Sequence, residues 1–417
     1  MNRKGDRMVR LFTLFSISWQ KWTLLLVLLS IAALWISPVS ATPATDWYEK
    51  GNSSYFAGRY DEALAAFNKT IELDPNYADA WNGKGNALHG LVRYDEALAA
   101  FNKTLELNPN SAGTWADKGW TFMKSGREDE ALKSYNKSLE IDPNSAGTWS
   151  EKAFIFSRFD RYEEALTSYN TSLEINPRSI YVWKSKGNTL NMLLRYDEAL
   201  TAFNKALEID PNYIDALNDK GVALHELGRD SESLAAYNKA LEQNPDFINA
   251  LENKVCALDA LGRYDEALVT SDRALAVNQN SSYAWNYKGN VLYNLSRYEE
   301  ALTAYNRAIS GRIDSEVWSN RGRALSALGR YTEAVASYDN ALTTKPNLTA
   351  VEVTSVQEAR NNALQKQNLT PQTSTPPVQT SAIPIQTHQQ TKSAPLLYAP
   401  IGAIVLMAGI AVWVRRR

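Results

Sequence analysis

The amino-acid sequence predicts an all-α protein: a solenoid of about nine helix–turn–helix repeats closed by a capping helix, with a signal helix before the array and a transmembrane helix after it. Three observations carry this. Residues 44–348 repeat with a period of 34, and a period in the range of 20–50 residues is the signature of a stacked repeat array. Each copy holds two apolar blocks at helical spacing. In residues 78–111, Trp81, Gly85 and Leu88 fall at i, i+4 and i+7, and Ala97, Phe101 and Thr104 follow at the same spacing. Pro109 then ends the second helix. Finally, an apolar run flanked by basic residues stands at each end of the chain.

Taken in order, residues 1–41 begin with Arg3, Lys4, Arg7, Arg10 and Lys21, continue with the apolar run 22–36, and close on Pro38-Val39-Ser40-Ala41. A basic stretch, a short apolar core and small residues at a cleavage site make a secretory signal, with the mature chain starting at Thr42. An uncleaved signal-anchor helix is the alternative.

The repeats start at Ala44, Ala78, Ala112, Ala146, Ile180, Ile214, Ile248, Ser282 and Ser315, with one residue missing near Gly311. The fourth position reads Trp47, Trp81, Trp115, Trp149, Trp183, Leu217, Leu251, Trp285 and Trp318. The eighth is small in all but one copy: Gly51, Gly85, Gly119, Ala153, Gly187, Gly221, Val255, Gly289 and Gly322. A missing side chain there lets two antiparallel helices approach, which offsets the roughly 1 kcal/mol that glycine costs inside a helix. Opposite it, the second helix carries alanine in eight copies and Ser233 in the other, then an aromatic such as Phe67, Tyr135, Phe203 or Tyr338. These positions, with Trp115, are expected in the core. The turn between the helices contains Arg-Tyr in most copies, followed by an acidic pair, which is expected to cap the second helix and face the positive end of its dipole. The seventh copy departs most, with Leu251, Val255, Ser271 and Gln279 in place of Trp, Gly, aromatic and Pro. It is the expected weak link of the array, although Val255 could partly fill the volume that Ser271 leaves.

Residues 349–366 read as a helix that covers the last repeat. Residues 367–395, rich in Thr, Pro, Gln and Ser, have little to bury and read as a disordered stalk. The 19 residues 396–414, which begin at Leu396 and end at Val414, carry no charge and would span about 28 Å as a helix. Arg415, Arg416 and Arg417 follow. Basic residues stay on the cytoplasmic side, so residues 415–417 form a cytoplasmic tail and the repeats are extracytoplasmic. The alternative is a processed C-terminal sorting signal. Asn-x-Ser/Thr sequons begin at several asparagines. Those at Asn68, Asn102, Asn136 and Asn170 follow the repeat period, whereas Asn347, in a turn, and Asn368, in the stalk, are the glycosylation candidates. Export signal, sequons and stalk together suggest an exported prokaryotic protein, with an archaeal origin among the options.

Composition excludes several functions. With 44 basic and 46 acidic residues there is no basic stripe of the kind that tracks nucleic acid. One cysteine, Cys256, and three scattered histidines, His89, His225 and His388, provide neither a disulfide framework nor a metal cluster. No phosphate-binding loop, dinucleotide fingerprint or nucleophile elbow occurs, so no catalytic residue, cofactor or metal is expected.

The pattern Trp81, Gly85, Leu88, Ala97, Phe101, Pro109 resembles the tetratricopeptide repeat. The resemblance covers residues 44–348 and implies a right-handed α-solenoid whose first helices line a concave groove that holds peptides or partner proteins. By position, the groove residues would be Asn52, Tyr55, Asn86, His89, Trp120, Met123, Phe154, Arg158, Lys184, Asn188, Asn191, Asn290 and Tyr293. Amides there could bond an extended peptide backbone, and Trp120 and Phe154 offer apolar anchors. Lys184 and Asn188 match the first elements of the carboxylate clamp found in some members, but Asp219 stands where an amide is needed and no basic pair follows. The regular asparagine ladder of another member is also absent, since that row reads Glu49, Gly83, Asp117, Glu151 and Ser185. The leading expectation is a membrane-anchored extracytoplasmic scaffold for protein or peptide partners. A self-associating structural component of the cell surface is the alternative, and an enzyme is the third class.

Overall fold

The computed structural model describes residues 43–311, 315–344 and 350–369. The signal segment, the turn sequon at Asn347, residues 370–395 of the stalk and the apolar segment 396–414 lie outside these residues. Among those described there is no strand, and the helices alternate between first and second members of a repeat. They are α1 (Pro43–Phe56), α2 (Tyr60–Leu73), α3 (Ala78–Gly90), α4 (Tyr94–Leu107), α5 (Ala112–Lys124), α6 (Glu128–Ile141) and α7 (Ala146–Arg158). There follow α8 (Tyr162–Ile175), α9 (Ile180–Met192), α10 (Tyr196–Ile209), α11 (Ile214–Glu226), α12 (Asp230–Gln243) and α13 (Ile248–Ala260). The last are α14 (Tyr264–Val277), α15 (Ser282–Asn294), α16 (Tyr298–Gly311), α17 (Ser315–Ala327), α18 (Tyr331–Thr343) and α19 (Ala350–Leu369). They fall into two compact units, which part within α7 after Glu151.

In both units the helix pair is held by the small-to-aromatic contact that the sequence predicts. A Cβ added at Gly85 would lie 2.4 Å from the Phe101 ring, and one at Gly221 would lie 2.4 Å from Tyr237. Ala97, Ala199, Ser233 and Ala301 are completely buried, as are the rings of Phe67, Phe101, Phe203 and Tyr237 to within 1 %. In the seventh repeat, Val255 and Ser271 are both fully buried. Val255 shares a core cluster with Leu234, Leu258, Ala267, Val291 and the Tyr287 ring of the following repeat, so apolar volume is present where the aromatic is missing.

Each first helix ends the same way. The N–H of Arg59 donates to the Ser54 carbonyl at 2.9 Å, that of Arg93 to Leu88 at 2.9 Å, and that of Arg229 to Leu224 at 2.8 Å. This six-residue closure is a Schellman motif and requires a left-handed residue just before the arginine. Gly58, Gly126, Gly228, Gly262 and Gly329 supply it, while Val92, Asp160, Leu194 and Ser296 adopt φ of 57–63° without being glycine.

Two sequence expectations are corrected here. The acidic residues lie in the first turn of the second helix, at the positive end of its dipole as expected, but no side-chain bond caps α2, α4, α8, α10 or α12. The second acidic residue pairs with the arginine three residues earlier, as in Arg93–Glu96 and Arg263–Glu266, both at 2.7 Å and exposed. Fully exposed pairs of this kind are screened by solvent and add little to stability. The tryptophan is half-buried, not core. Its indole N–H donates to a carbonyl six residues earlier, Trp81 to Pro75 at 2.9 Å, Trp115 to Pro109 at 3.2 Å and Trp183 to Pro177 at 2.9 Å. A lysine ammonium lies over the outer face of the ring, Lys84 at 5.1 Å from Trp81. An indole needs a partner for its N–H when covered, and the turn carbonyl supplies one at the surface.

In the second unit, α19 covers the last repeat. Val356 and Ala363 join the buried cluster of Leu302, Leu325, Ala334 and Tyr338. The helix runs to Leu369, three residues beyond the expected end, so Asn368 is an exposed residue of its last turn and not part of a stalk.

Candidate functional site

Within each unit successive first helices touch one another, for example α1 with α3, and α11 with α13. Their shared face is therefore where side chains from neighbouring repeats meet. It is polar. In the first unit, Asn82 Nδ2 donates to Thr114 Oγ1 and to Asp117 Oδ2, both at 3.1 Å, and Asn86 Nδ2 donates to the same Asp117 oxygen at 3.2 Å. Burial raises the Asp117 carboxyl above its usual range, and the Asn86 bond partly offsets this. Tyr55 lies close enough to Asp117 for that charge, after burial, to raise its phenol. Tyr55 and Asn86 of the expected set thus converge on a carboxylate that sequence reasoning passed over.

Beside them, His89 Nδ1 is 2.9 Å from Thr121 Oγ1, and its ring stacks on Trp120 at 6.3 Å. Lys124 lies 4.4 Å above the same indole. Burial, then the Lys124 charge, lower the His89 pKa, which leaves a neutral ring at neutral pH. Asn52 and Trp120 are half-buried. Met123 is buried, with only 4 % of it exposed, as its apolar side chain gains more from leaving water than from lining a wet face. Glu151 is pushed up to about 7 by burial.

The second unit repeats the arrangement with different residues. Lys184 Nζ stands 4.0 Å from Asp219 Oδ2, both nearly buried. Asn218 Nδ2 donates to Asp219 Oδ1 and its oxygen accepts from Asn253 Nδ2, both at 3.1 Å. Glu252 accepts from Ser281. Asn286 Nδ2 donates to Glu316 Oε1 at 3.2 Å and accepts from Asn320 at 3.3 Å. Burial raises the Asp219 carboxyl, against the Lys184 charge and the Asn218 and Asn188 amides. The lysine that resembled half of a carboxylate clamp is 7 % exposed and already faces an acid of its own chain.

Further along the same face, the Tyr196 hydroxyl donates to Glu226 Oε2 at 3.3 Å, His225 Nδ1 contacts Asp230, and Asn294 Nδ2 bonds Asp259 at 2.9 Å. Burial pushes Glu226 up to about 7, with His225 and Tyr196 opposing, and it raises Asp259 against the Asn294 bond. Asn290 Oδ1 accepts from the Tyr305 hydroxyl at 2.8 Å. Tyr293 packs on Tyr298 with ring centres 5.3 Å apart and under Arg323 at 4.7 Å. Phe154 and Asn188 are half-buried, Arg158 is exposed, and Asn191, at 4 % exposure, is buried. Phe154 belongs to the second unit and Trp120 to the first. Among the described residues no group of three His, Cys, Asp or Glu side chains is placed to hold a metal ion.

The ladder is thus made largely of amides and carboxylates at two adjacent positions of the first helices, as at Asn82, Asp117, Asn218, Asp219, Glu252, Asn253, Asn286 and Asn320. A search for one residue type in one row, which found only variation, could not show it. Reading the fifth and sixth positions of successive repeats together would have brought out Asn82 with Asp117, and Asn218 with Asn253.

Stacked helix pairs with a small-to-aromatic seam and a polar inner face define a helical repeat scaffold. The tetratricopeptide repeat pattern matches residues 48–112, 93–146 and 253–316, with further matches at 180–213, 202–235, 236–269 and 315–348. The chain therefore belongs to the tetratricopeptide repeat family, whose members act as protein–protein interaction scaffolds, bind protein or peptide partners, and are in general not catalytic. Comparison with curated proteins gives no match. Among solved structures, a tetratricopeptide repeat protein from Parabacteroides merdae is similar over 61 % of this chain and 99 % of its own, at 17 % identity and a TM-score of 0.53. The Cut9-Hcn1 hetero-tetramer of the APC/C is similar over 73 % of this chain and 59 % of that one, at 16 % identity and a TM-score of 0.50. YrrB, described as having an unusual peptide-binding site, matches over 46 % of this chain and 99 % of its own, at 25 % identity and a TM-score of 0.41. For the first two, at 17 % and 16 % identity, the likeness is one of fold.

Proposed function

We propose that this protein is an exported scaffold, anchored in the membrane by residues 396–414, which presents the first-helix face of its repeats outside the cell to an extended segment of a partner protein. The observation that carries the binding reading is the character of that face. In each unit it is lined by buried and half-buried amides and carboxylates, with the Trp120 ring beside them in the first unit and the Phe154 and Tyr293 rings in the second, where an apolar seam would serve if nothing bound. Aromatic side chains next to polar groups of fixed geometry are the usual composition of an interface core. The export reading rests on the basic and apolar pattern of residues 1–41 and on the uncharged run that ends before Arg415, Arg416 and Arg417. No helix among the described residues is long and apolar enough to cross a membrane, and the proposed anchor at residues 396–414 lies outside them.

Trp120→Ala and Phe154→Ala should each weaken capture of the native partner about thirtyfold, the effect of removing an aromatic hot spot, with an unchanged melting temperature. Normal capture by both variants would refute the groove reading. Protease added to intact cells should remove the repeats and leave a short protected C-terminal fragment. Repeats that survive until lysis would refute the export reading.

A further inference from the structure

Among the described residues, five buried side-chain polar atoms have no hydrogen-bond partner, and four of them belong to Asn188, Asn191 and Glu226. All three residues lie on the first-helix face of the fifth and sixth repeats, on α9 and α11. Buried polar atoms are nearly always paired, so such a concentration calls for a reason. Asn191 is the extreme case. It is 4 % exposed, and both its amide oxygen and its amide nitrogen are unpartnered.

Repeat register shows what Asn191 faces. In the seventh and eighth repeats, Asp259 at the twelfth position bonds Asn294 at the thirteenth position of the next copy. Asn191 and Glu226 occupy those two positions in the fifth and sixth repeats, so the orphaned amide stands opposite the orphaned carboxylate oxygen. Tyr196 holds the other oxygen of Glu226. Unpartnered acceptors outnumber donors three to one: Asn188 Oδ1, Asn191 Oδ1 and Glu226 Oε1 against Asn191 Nδ2. Charge points the same way. Asp219, Glu226, Glu252 and Asp259 lie along this face, while Lys184 is occupied by Asp219, and His225 by Asp230 at the start of α12.

We infer that the fifth and sixth repeats form a pocket for the cationic side chain, lysine or arginine, of an extended basic segment of the partner protein. An ammonium brings three donors and no acceptor, and a guanidinium brings five donors. Either can donate to Asn188 Oδ1, Asn191 Oδ1 and Glu226 Oε1 and neutralise the carboxylate, while Asn191 Nδ2, a donor that no cation can satisfy, is left to Glu226 across the register. The inference rests on the groove reading above and adds the chemical class of the partner.

The test uses the full chain in detergent and fluorescent nine-residue peptides, identical except for a central Lys, Arg, Gln, Leu or Glu, with binding read by polarisation. The Lys or Arg peptide should bind at least tenfold more tightly than the Gln, Leu and Glu peptides. Glu226→Gln, which keeps the shape of the side chain, should remove that preference, the loss expected of one hydrogen bond to a charged group being about tenfold or more. Asn191→Leu should do the same. Should it unfold, Glu226→Gln carries the test alone. Equal binding of all five peptides that still depends on Trp120 would overturn this inference and leave the groove reading standing. No binding of any peptide, with Trp120→Ala and Phe154→Ala also without effect on partner capture, would overturn both. Free lysine as a competitor separates the sources: weak competition by lysine and full competition by unlabelled peptide mark a peptide site, whereas lysine competing as well as the peptide would overturn the assignment to a partner segment.

Discussion

The second and seventh repeats solve the same packing problem in opposite ways. In the second, Gly85 yields its whole side-chain volume to the Phe101 ring, which approaches the position of a Cβ to 2.4 Å. In the seventh, the ring is replaced by Ser271 and the glycine by Val255, with Tyr287 of the next repeat completing the cluster. What is preserved is the volume between two helices, not the residue that provides it. A copy that looks degenerate against the pattern is therefore filled, and its departures compensate one another.

The largest effect that would break this comparison is expected from Gly85→Val, which places three carbon atoms where the Phe101 ring lies. It should cost about 3 kcal/mol or more, read as a lowered denaturation midpoint. The converse change, Val255→Gly, opens a cavity that Ser271 cannot fill and adds a helix glycine, at about 2 kcal/mol. Amide hydrogen exchange sharpens the point: residues 248–281 should be protected like their neighbours in the natural chain and become the fastest-exchanging inner repeat only in the Val255→Gly variant. Rapid exchange there without any substitution would show that compensation fails.

The seventh repeat also carries Glu252, pushed up to about 7 by burial against the Ser281 bond. A carboxylate raised in the folded state binds more protons than in the unfolded chain between about pH 4.5 and 7. Its stabilising contribution is then complete below that range and lost as pH rises through 7. The melting temperature should fall from pH 5 to pH 8, and Glu252→Gln should flatten that slope by on the order of 1 kcal/mol. Smallest of all, Val92→Gly and Leu194→Gly should each stabilise by about 0.5–1 kcal/mol, since φ of 63° and 60° disfavours a branched or bulky residue. Gly126→Ala, at the same turn position with φ of 77°, should change stability in the opposite direction.

These contrasts also show what a sequence can reveal. Helix positions, the small-to-aromatic seam and the covering helix were legible because each depends on spacing within a single copy, from Gly85 to Phe101 or from Val356 to Ala363. The tryptophan was misjudged because its size suggests a core, whereas its N–H requires an acceptor and finds one at the turn. The left-handed turn escaped notice because only five of its positions are glycine, and Val92 or Leu194 carries no sign of it. The binding face was hardest to read. Asn86, His89 and Trp120 do gather on it, but Met123 turns inward, and Asp117, Asn218, Glu226 and Asn253 emerge only when residues about one period apart are paired.

One bond has a consequence for how such an array changes over time. In the eighth repeat the Trp285 indole donates to the carbonyl of Gln279 at 2.9 Å, where Trp81 and Trp183 use a proline carbonyl at the same distance. The acceptor belongs to the main chain, so the link between one copy and the next is indifferent to which side chain occupies that position. Tandem copies can drift apart at the joint without losing their alignment, and the array keeps its register while its faces are free to specialise.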